Sequence, residues 1–193
     1  VAYMDYYFSS IYMARIFIAL TLEKDFNNQI IEIKKELKSN LLKDANISWQ
    51  KNDQHHLTVC FVGEMEPEQI NQMNENLEEI NFASLSRSID LTEISFFPNE
   101  KSQVLSALVK PSSHLKTLHE KVERIVVNIG FGSELKDYRP HITLGRFKEK
   151  DRPHYEFGIF EETLKGKVKQ LNVFESEFNK GKTEYTLLKS FEL

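Results

Sequence analysis

The stretch HHLTVCFVGE, residues 55–64, determines how the rest of the chain is interpreted. Apolar residues alternate along it, a pattern that predicts a strand with one buried face. Side chains two apart on a strand share a face, and the apolar face consists of Leu57, Val59 and Phe61. His56 and Thr58 lie on the opposite face, where polar groups need hydrogen-bond partners or water. A lone histidine in such a place is more often structural than catalytic, so its role depends on a partner elsewhere.

The second half of the chain repeats the pattern in RPHITLGRF, residues 139–147. His141 and Thr143 again share one face of a predicted strand. Two of the six histidines thus have a threonine two residues later, a pairing that composition alone would rarely give. If the two strands line one cleft, two imidazoles and two hydroxyls converge there. His55 points away from His56 and is expected to be structural or solvated.

Helical and strand periods alternate through the rest of the chain. Apolar spacings of three and four predict helices within residues 26–42, 66–80 and 112–130. Strand-like runs cover residues 15–22, 56–62, 88–97, 102–110, 141–147, 166–178 and 183–193. The order strand, helix, strand, helix occurs in both halves. It predicts an α+β fold of two related lobes whose strands need not be parallel.

Composition excludes some classes of protein. The 193 residues suffice for a sizeable core, and a net charge of -4 argues against a protein that coats nucleic acid. An RNA partner would therefore be held locally, at one phosphate or one end. Cys60 is the only cysteine, which excludes an internal disulfide and is typical of a reducing compartment, so we expect a cytoplasmic protein. No run approaches the roughly 18 apolar residues of a membrane span.

The N-terminus is considered separately. It is apolar and aromatic, but it lacks the basic segment and the cleavage site of a signal peptide. Met13 comes directly before a clear strand pattern. We therefore interpret residues 1–12 as an N-terminal extension that need not be native, and residues 13–193 as one domain of two lobes.

Two histidines and two threonines suit proton transfer at a phosphate. Imidazole titrates near neutral pH, so one histidine can act as base while the other acts as acid. Threonine hydroxyls can donate hydrogen bonds to phosphate oxygens. A cyclic phosphodiester already has a strained leaving group, so neither a carboxylate nor a metal is required. One histidine on each strand supplies only two nitrogen ligands, which makes a metal site the weaker hypothesis, and no metal or cofactor is expected.

The order and spacing of these segments resemble the 2H phosphoesterase superfamily and, within it, the RNA 2′,3′-cyclic phosphodiesterases, also called 2′-5′ RNA ligases. HHLTVCFVGEM and YRPHITLGRF resemble the two motif segments of that family, and the similarity extends over nearly everything from Ala14 on. The resemblance implies a bilobal fold: two pseudo-symmetric lobes of antiparallel strands with flanking helices around a central cleft. It also implies metal-independent hydrolysis of RNA or nucleoside 2′,3′-cyclic phosphate ends to 2′-phosphates, with reverse 2′-5′ ligation as a second capability.

The resemblance further implies roles for single residues. His56 would be the proton donor and His141 the proton acceptor. Thr58 and Thr143 would bind the phosphate, and Arg146 matches an arginine that the family also links to phosphate.

Three of the assignments to side chains depend on local backbone geometry. Strand alternation places Arg146 on the face opposite His141, so a bulge or a strand end must redirect it, and Gly145 could allow that bend. Phe61 and Tyr138 are candidates for stacking on a base, although core packing is the favoured interpretation of Phe61.

Other functions remain open at this stage. One alternative is an enzyme that cleaves 2′-5′ oligonucleotides or another small cyclic phosphate, and another is a module that binds RNA ends without turnover. The presence of both histidines and both threonines favours an enzyme. We expect a monomer whose partner is RNA or a nucleotide with a 2′,3′-cyclic phosphate, and no membrane association.

Overall fold

The computed structural model of the protein describes residues 12–132, 137–148, 157, 159–179 and 181–193. Residues 1–11 of the predicted N-terminal extension lie outside the described residues, and Tyr12 is exposed. The division of the chain at residue 12 therefore stays a prediction.

Three helices and eight strands lie within the described ranges. The helices are α1 (Lys24–Glu36), α2 (Pro67–Glu78) and α3 (Ser113–Asn128). The strands are β1 (Ala14–Leu22), β2 (Ile47–Trp49), β3 (His56–Met65), β4 (Ser88–Phe97), β5 (Val104–Val109), β6 (His141–Phe147), β7 (Ile159–Asn179) and β8 (Lys182–Glu192). The α+β class is confirmed. The pattern does not predict β2, because three residues are too few to show a period. None of the helices in the described ranges is long and apolar enough to cross a bilayer.

The strands pair antiparallel in two half-sheets that share β7. The first half-sheet has the order β3-β1-β7-β8, and the second has the order β7-β4-β5-β6-β2. β7 belongs to both because residues 164–167 pair with β4 and residues 168–175 pair with β1. The chain therefore forms two lobes, as the repeated order of elements predicts.

A second link between the lobes lies in the middle of both His-x-Thr segments. Among the described residues, β3 and β6 pair at one position, where Leu57 lies opposite Ile142. Both side chains are fully buried. This pair joins β3 of the first half-sheet to β6 of the second and brings the two His-x-Thr segments side by side.

Sequence explains which strands and helix faces are covered. β1 is a nearly continuous apolar run because it pairs with β3 and β7 and is buried on both faces. Phe26 and Ile30 of α1 are buried in the same core, as are Met73 and Leu77 of α2. These residues belong to the helical stripes that the spacing predicts.

A β-bulge follows the first His-x-Thr segment. Ala19 of β1 pairs with Thr58, but the next residue, Ile18, pairs with Cys60. Val59 is therefore an extra residue on β3, and the alternation of faces reverses beyond it.

A matching bulge follows the second segment. Ser106 of β5 pairs with Thr143, and the preceding residue, Leu105, pairs with Gly145. Leu144 is the extra residue, and Leu144 and Gly145 are both buried although they are neighbours. A Cβ on Gly145 would lie 2.9 Å from the Ile47 side chain, so β2 can pair closely only with glycine there.

Gly166 allows α1 to pack where β7 passes from one half-sheet to the other. A Cβ at this position would overlap the ring of Phe26, which is 2% exposed. Gly166 also pairs with Ile89 of β4, so the strand cannot move away without breaking that pairing.

We expect Gly166→Ala to lower the free energy of unfolding by roughly 1–3 kcal/mol, because the added methyl group overpacks the core against Phe26. Urea denaturation followed by circular dichroism measures this change. Lys165→Ala is the matched control, since its side chain is exposed on the neighbouring position, and it should change stability by less than about 0.5 kcal/mol. Equal stability of the two variants would contradict close packing at Gly166.

Candidate active site

Each histidine of the two segments is held by the same local hydrogen bond. Nδ1 of His56 lies 2.8 Å from the carbonyl oxygen of Gln54, and Nδ1 of His141 lies 3.0 Å from that of Arg139. A carbonyl oxygen can only accept, so Nδ1 of each neutral ring carries the proton and donates it. In both rings Nε2 is then the nitrogen that can take up or release a proton.

The strand pairing brings all four predicted polar residues together. Leu57 lies opposite Ile142, so one step along these antiparallel strands places His56 opposite Thr143 and Thr58 opposite His141. These four polar side chains are half-buried.

Burial lowers the pKa of both imidazoles. The pKa of His56 lies below its ordinary value because of burial, and a charge on His141 lowers it further. The pKa of His141 is also lowered mainly by burial, with a further contribution from the positive charge of Arg139. The hydrogen bonds to the carbonyls of Gln54 and Arg139 act in the opposite direction but are outweighed. The free protein thus favours neutral rings at both positions.

A cleft of about 420 Å³ opens beside the paired segments. Thr58 and His141 line it, together with Phe97, whose ring stacks on His141 with centroids 3.5 Å apart. The guanidinium carbon of Arg139 lies 5.1 Å from the centre of the Phe97 ring. Neither Phe97 nor Arg139 is identified by the sequence pattern, because nothing in a strand period marks a residue that stacks on a histidine.

The predicted redirection of Arg146 is confirmed by the bulge at Leu144. Beyond the bulge Arg146 pairs with Val104 of β5, which returns its side chain to the face that carries His141. Arg146 is exposed, and its charge acts on the nearby Tyr185. Its role in phosphate binding stays a prediction.

The favoured interpretation of Phe61 as a core residue is wrong. Its side chain is 57% exposed and lines the cleft. The reason is the bulge at Val59, because Phe61 pairs with Phe17 and so returns to the face of His56. The ring is supported by Phe17, with centroids 5.9 Å apart. Stacking on a base stays a prediction for Phe61.

Tyr138 also lines the cleft, but its hydroxyl and one face of its ring have protein partners. The hydroxyl donates to the carbonyl oxygen of Thr58 at 3.0 Å, and the ring stacks on His119 with centroids 4.4 Å apart. Nδ1 of His119 lies 2.8 Å from the carbonyl oxygen of Val59. Two side chains thus bind carbonyls of β3 at the bulge. Base stacking by Tyr138 stays a prediction.

Sequence reasoning missed two aromatic residues that pack on His56. The Phe17 ring lies 5.1 Å from the imidazole, and the Tyr185 ring meets it edge-on at 5.4 Å. Burial raises the pKa of Tyr185, whereas a hydrogen bond with Gln50 and the charge of Arg146 lower it. Tyr185 lies in the predicted strand of residues 183–193, but only the fold brings that strand to His56.

His55 is structural and not solvated. It is 5% exposed, and both ring nitrogens have polar partners, Nδ1 with Asn27 and Nε2 with Lys34. As for metal ligands, no group of three His, Cys, Asp or Glu side chains converges among the residues that the structure describes.

Comparison with solved structures defines the class of fold. A crystal structure of a Thermus thermophilus protein superimposes with a TM-score of 0.77 at 23% identity, covering 93% of this chain and 97% of that one. The crystal structure of Escherichia coli LigT complexed with 3′-AMP gives a TM-score of 0.74 at 21% identity, covering 94% and 99%. The fold is the two-lobed fold of the LigT-like phosphoesterases.

Sequence comparison points to the same group. The family profile of the LigT-like phosphoesterases matches residues 20–105, which include the first His-x-Thr segment but not the second. A curated RNA 2′,3′-cyclic phosphodiesterase of Archaeoglobus fulgidus is 28% identical over 138 residues, covering 71% of this chain and 74% of the relative. The protein of the same name from Thermotoga maritima is 28% identical over 135 residues, covering 69% and 70%. The profile, the curated relatives and the solved structures thus all show similarity to the LigT-like, or 2H, phosphoesterase family.

The lowered pKa of His55 predicts a loss of stability in acid. Burial, with smaller contributions from Lys34 and His56, lowers its pKa to about 3, against about 6.5 in an unfolded chain. Between these values the unfolded chain binds a proton that the folded chain does not, so stability falls as the pH falls below about 6.5. At pH 5 the contribution of this histidine to the free energy of unfolding should be about 2 kcal/mol lower than at pH 8.

Urea denaturation at pH 8 and pH 5 measures this difference. His55→Gln should reduce the acid loss by about 2 kcal/mol, because glutamine keeps polar contacts without titrating. His114→Gln is the control, since His114 is exposed, and it should lose as much stability as the parent protein. An unchanged acid loss in His55→Gln would show that the buried imidazole is not the source.

Proposed function

We propose that the protein hydrolyses the 2′,3′-cyclic phosphate of RNA ends or nucleosides to a 2′-phosphate, with His56 as proton donor and His141 as proton acceptor. The observation that carries this proposal is the pair of imidazoles on adjacent strands, each with Nδ1 bound to a carbonyl and Nε2 left for proton transfer. The curated relatives from Archaeoglobus fulgidus and Thermotoga maritima have the name of this activity, which supports the choice of substrate.

The reaction proceeds in one balanced displacement at phosphorus. A water oxygen attacks the phosphorus atom and gives its proton to Nε2 of His141. The bond from phosphorus to the 3′ oxygen breaks, and Nε2 of His56 gives that oxygen a proton. The product is a 2′-phosphate with a free 3′-hydroxyl. Exchange with solvent then removes the proton from His141 and protonates His56 again.

The electrostatics of the site support these opposite roles. Burial and the charge of Arg139 favour the neutral form of His141, which is the form that a base needs. Burial also disfavours the protonated form of His56 in the free protein. The negative charge of a bound phosphodiester would raise the pKa of His56 again. The substrate therefore favours the protonated form of His56, which a proton donor needs.

The remaining polar groups bind the phosphate. Thr58 and Thr143 donate their hydroxyl protons to its free oxygens, and Arg146 adds a positive charge on the same face of β6. Phe61 offers an exposed ring for stacking on the base, with Tyr138 on the wall of the same cleft. The substrate is thus held at its terminal nucleotide, which fits a protein without a general affinity for nucleic acid. The single cysteine supports a cytoplasmic location.

The same arrangement can also form a 2′-5′ bond. A 5′-hydroxyl takes the place of water, loses its proton to His141 and becomes bonded to phosphorus as the 3′ oxygen leaves. No further residue is needed, so ligation differs from hydrolysis only in the nucleophile.

Phosphorus NMR of a nucleoside 2′,3′-cyclic phosphate incubated with the protein in EDTA tests the function. We expect the signal of the cyclic phosphate to be replaced by that of the 2′-phosphate. A 3′-phosphate product would reverse the assigned leaving group. Loss of turnover in EDTA, with recovery on addition of zinc or magnesium, would contradict the metal-independent mechanism.

Substitution of the two histidines should separate their roles. His56→Ala and His141→Ala should each lower turnover of the cyclic phosphate by about a hundred- to ten-thousandfold, which corresponds to about 3–6 kcal/mol of barrier. With an aryl phosphodiester, whose leaving oxygen needs little protonation, His56→Ala should regain most of its activity and His141→Ala should not. His114→Ala serves as the control and should behave as the parent with both substrates. Rescue of His141→Ala instead would exchange the donor and acceptor roles.

A further inference from the structure

A buried ammonium group lies beneath the segment that leads to β3. Lys34 of α1 is 2% exposed. Its Nζ donates to the carbonyl oxygen of Gln50 at 2.6 Å, to Oδ1 of Asn52 at 2.9 Å and to Nε2 of His55 at 3.0 Å. A protonated lysine has three N–H donors, and each of them has an acceptor in this segment.

His55 completes the network on its other side. Because Nε2 accepts from Lys34, Nδ1 carries the proton of the neutral ring and donates to Oδ1 of Asn27 at 2.7 Å. The amide of Asn27 in turn donates to the carbonyl oxygen of Asn52 at 3.0 Å. Two residues of α1 therefore hold residues 50–55 through five hydrogen bonds.

Burying this network costs free energy, because a charged and a polar side chain are removed from water. Burial and the nearby charge of Lys38 lower the pKa of Lys34 to about 8, and burial with the charge of Lys34 lowers that of His55 to about 3. Packed apolar residues of similar volume often give equal or greater stability than such buried polar pairs. Hydrogen bonds fix the backbone more specifically than apolar contacts do, so the position of residues 50–55 is the property that the network controls.

The segment held in this way ends at the group that orients His56. The carbonyl oxygen of Gln54 accepts from Nδ1 of His56 at 2.8 Å, and His55 lies between the two residues. We propose that Lys34 and His55 are positioning residues for proton transfer by His56: they hold the Gln54 carbonyl where it fixes the tautomer and orientation of the imidazole. This inference rests on the proposed function, in which His56 is the proton donor.

Loss of the network should therefore lower turnover in the same substrate-dependent way as loss of the proton donor, His56. We expect Lys34→Met to lower kcat for a nucleoside 2′,3′-cyclic phosphate by roughly ten- to hundredfold, because a small displacement of a catalytic group has effects of that size. KM should change by less than about threefold, since the phosphate ligands are untouched. With the aryl phosphodiester, the activity of Lys34→Met should approach that of the control variant Ile30→Ala. In the same way, the activity of His56→Ala should approach that of the parent protein with this substrate.

Ile30→Ala is the matched control for lost stability. Ile30 lies one turn before Lys34 on α1 and is fully buried, but its side chain makes no hydrogen bond to residues 50–55. If Lys34→Met and Ile30→Ala have the same activity ratio for the two substrates, Lys34 serves only the fold and the proposal is wrong.

The two substitutions of His55 decide the question if Lys34→Met does not fold. His55→Gln keeps an acceptor for Lys34 and a donor for Asn27, so kcat should stay within about threefold of the parent. His55→Leu loses both contacts and should show the selective loss with the cyclic phosphate. Equal kcat values for these two variants would overturn the proposal.

Nitrogen NMR of His56 tests the proposal without using activity. The neutral ring should show a protonated Nδ1 in the parent and in Ile30→Ala, and a mixture of tautomers in His55→Leu. If His55→Leu retains the protonated Nδ1, the network does not control the imidazole. If His56→Ala proves fully active, the proposed function fails, whereas the tautomer measurement still shows whether Lys34 and His55 position this ring.

Discussion

The contact between Leu57 and Ile142 is the constraint on which the candidate site depends. It joins β3 to β6, and the central residue of each His-x-Thr segment contributes one side of it. A shift of one residue in this pairing would turn the histidine and the threonine of the shifted strand toward the core, since the faces of a strand alternate. The buried apolar pair thus sets the register of the polar residues beside it. The pairing is short because β3 begins at His56 and β6 begins at His141, and the two bulges lie beyond it, in the ladders with β1 and β5.

The two bulges also make a nearly symmetric site asymmetric. Phe61 and Arg146 each follow the histidine of their segment by five residues, and each is returned to the polar face by the bulge between. One lobe therefore presents an aromatic ring at the position where the other presents a cation. A terminal nucleotide is asymmetric in the same sense, with a base at one side of the ribose and a phosphate at the other.

The sequence predicts the symmetric part of this arrangement better than the asymmetric part. Helical and strand periods were enough for the α+β class, and the repeated order of elements was enough for the two lobes. The convergence of the two His-x-Thr segments followed from strand alternation once both strands were taken to line one cleft. The same alternation assigned Phe61 to the core, since the bulge at Val59 leaves no signal in an apolar run. For Arg146 the glycine beside it gave such a signal. The contacts of Tyr185 and Phe97 with the histidines depend on how distant elements meet, which no local pattern contains.

Two chemically identical rings can hold opposite roles only if their surroundings differ. Both have the same hydrogen bond at Nδ1, so the difference lies elsewhere. His141 has Arg139 and Phe97 beside it, and the positive charge of Arg139 favours the neutral base. His56 packs against Phe17 and Tyr185, which carry no positive charge at neutral pH, and burial is the main cause of its lowered pKa. A bound phosphate would act against that effect of burial. The protein keeps both free rings neutral, so in the proposed mechanism the donor, His56, depends on the bound substrate for its proton, whereas Arg139 favours the neutral form of the acceptor, His141.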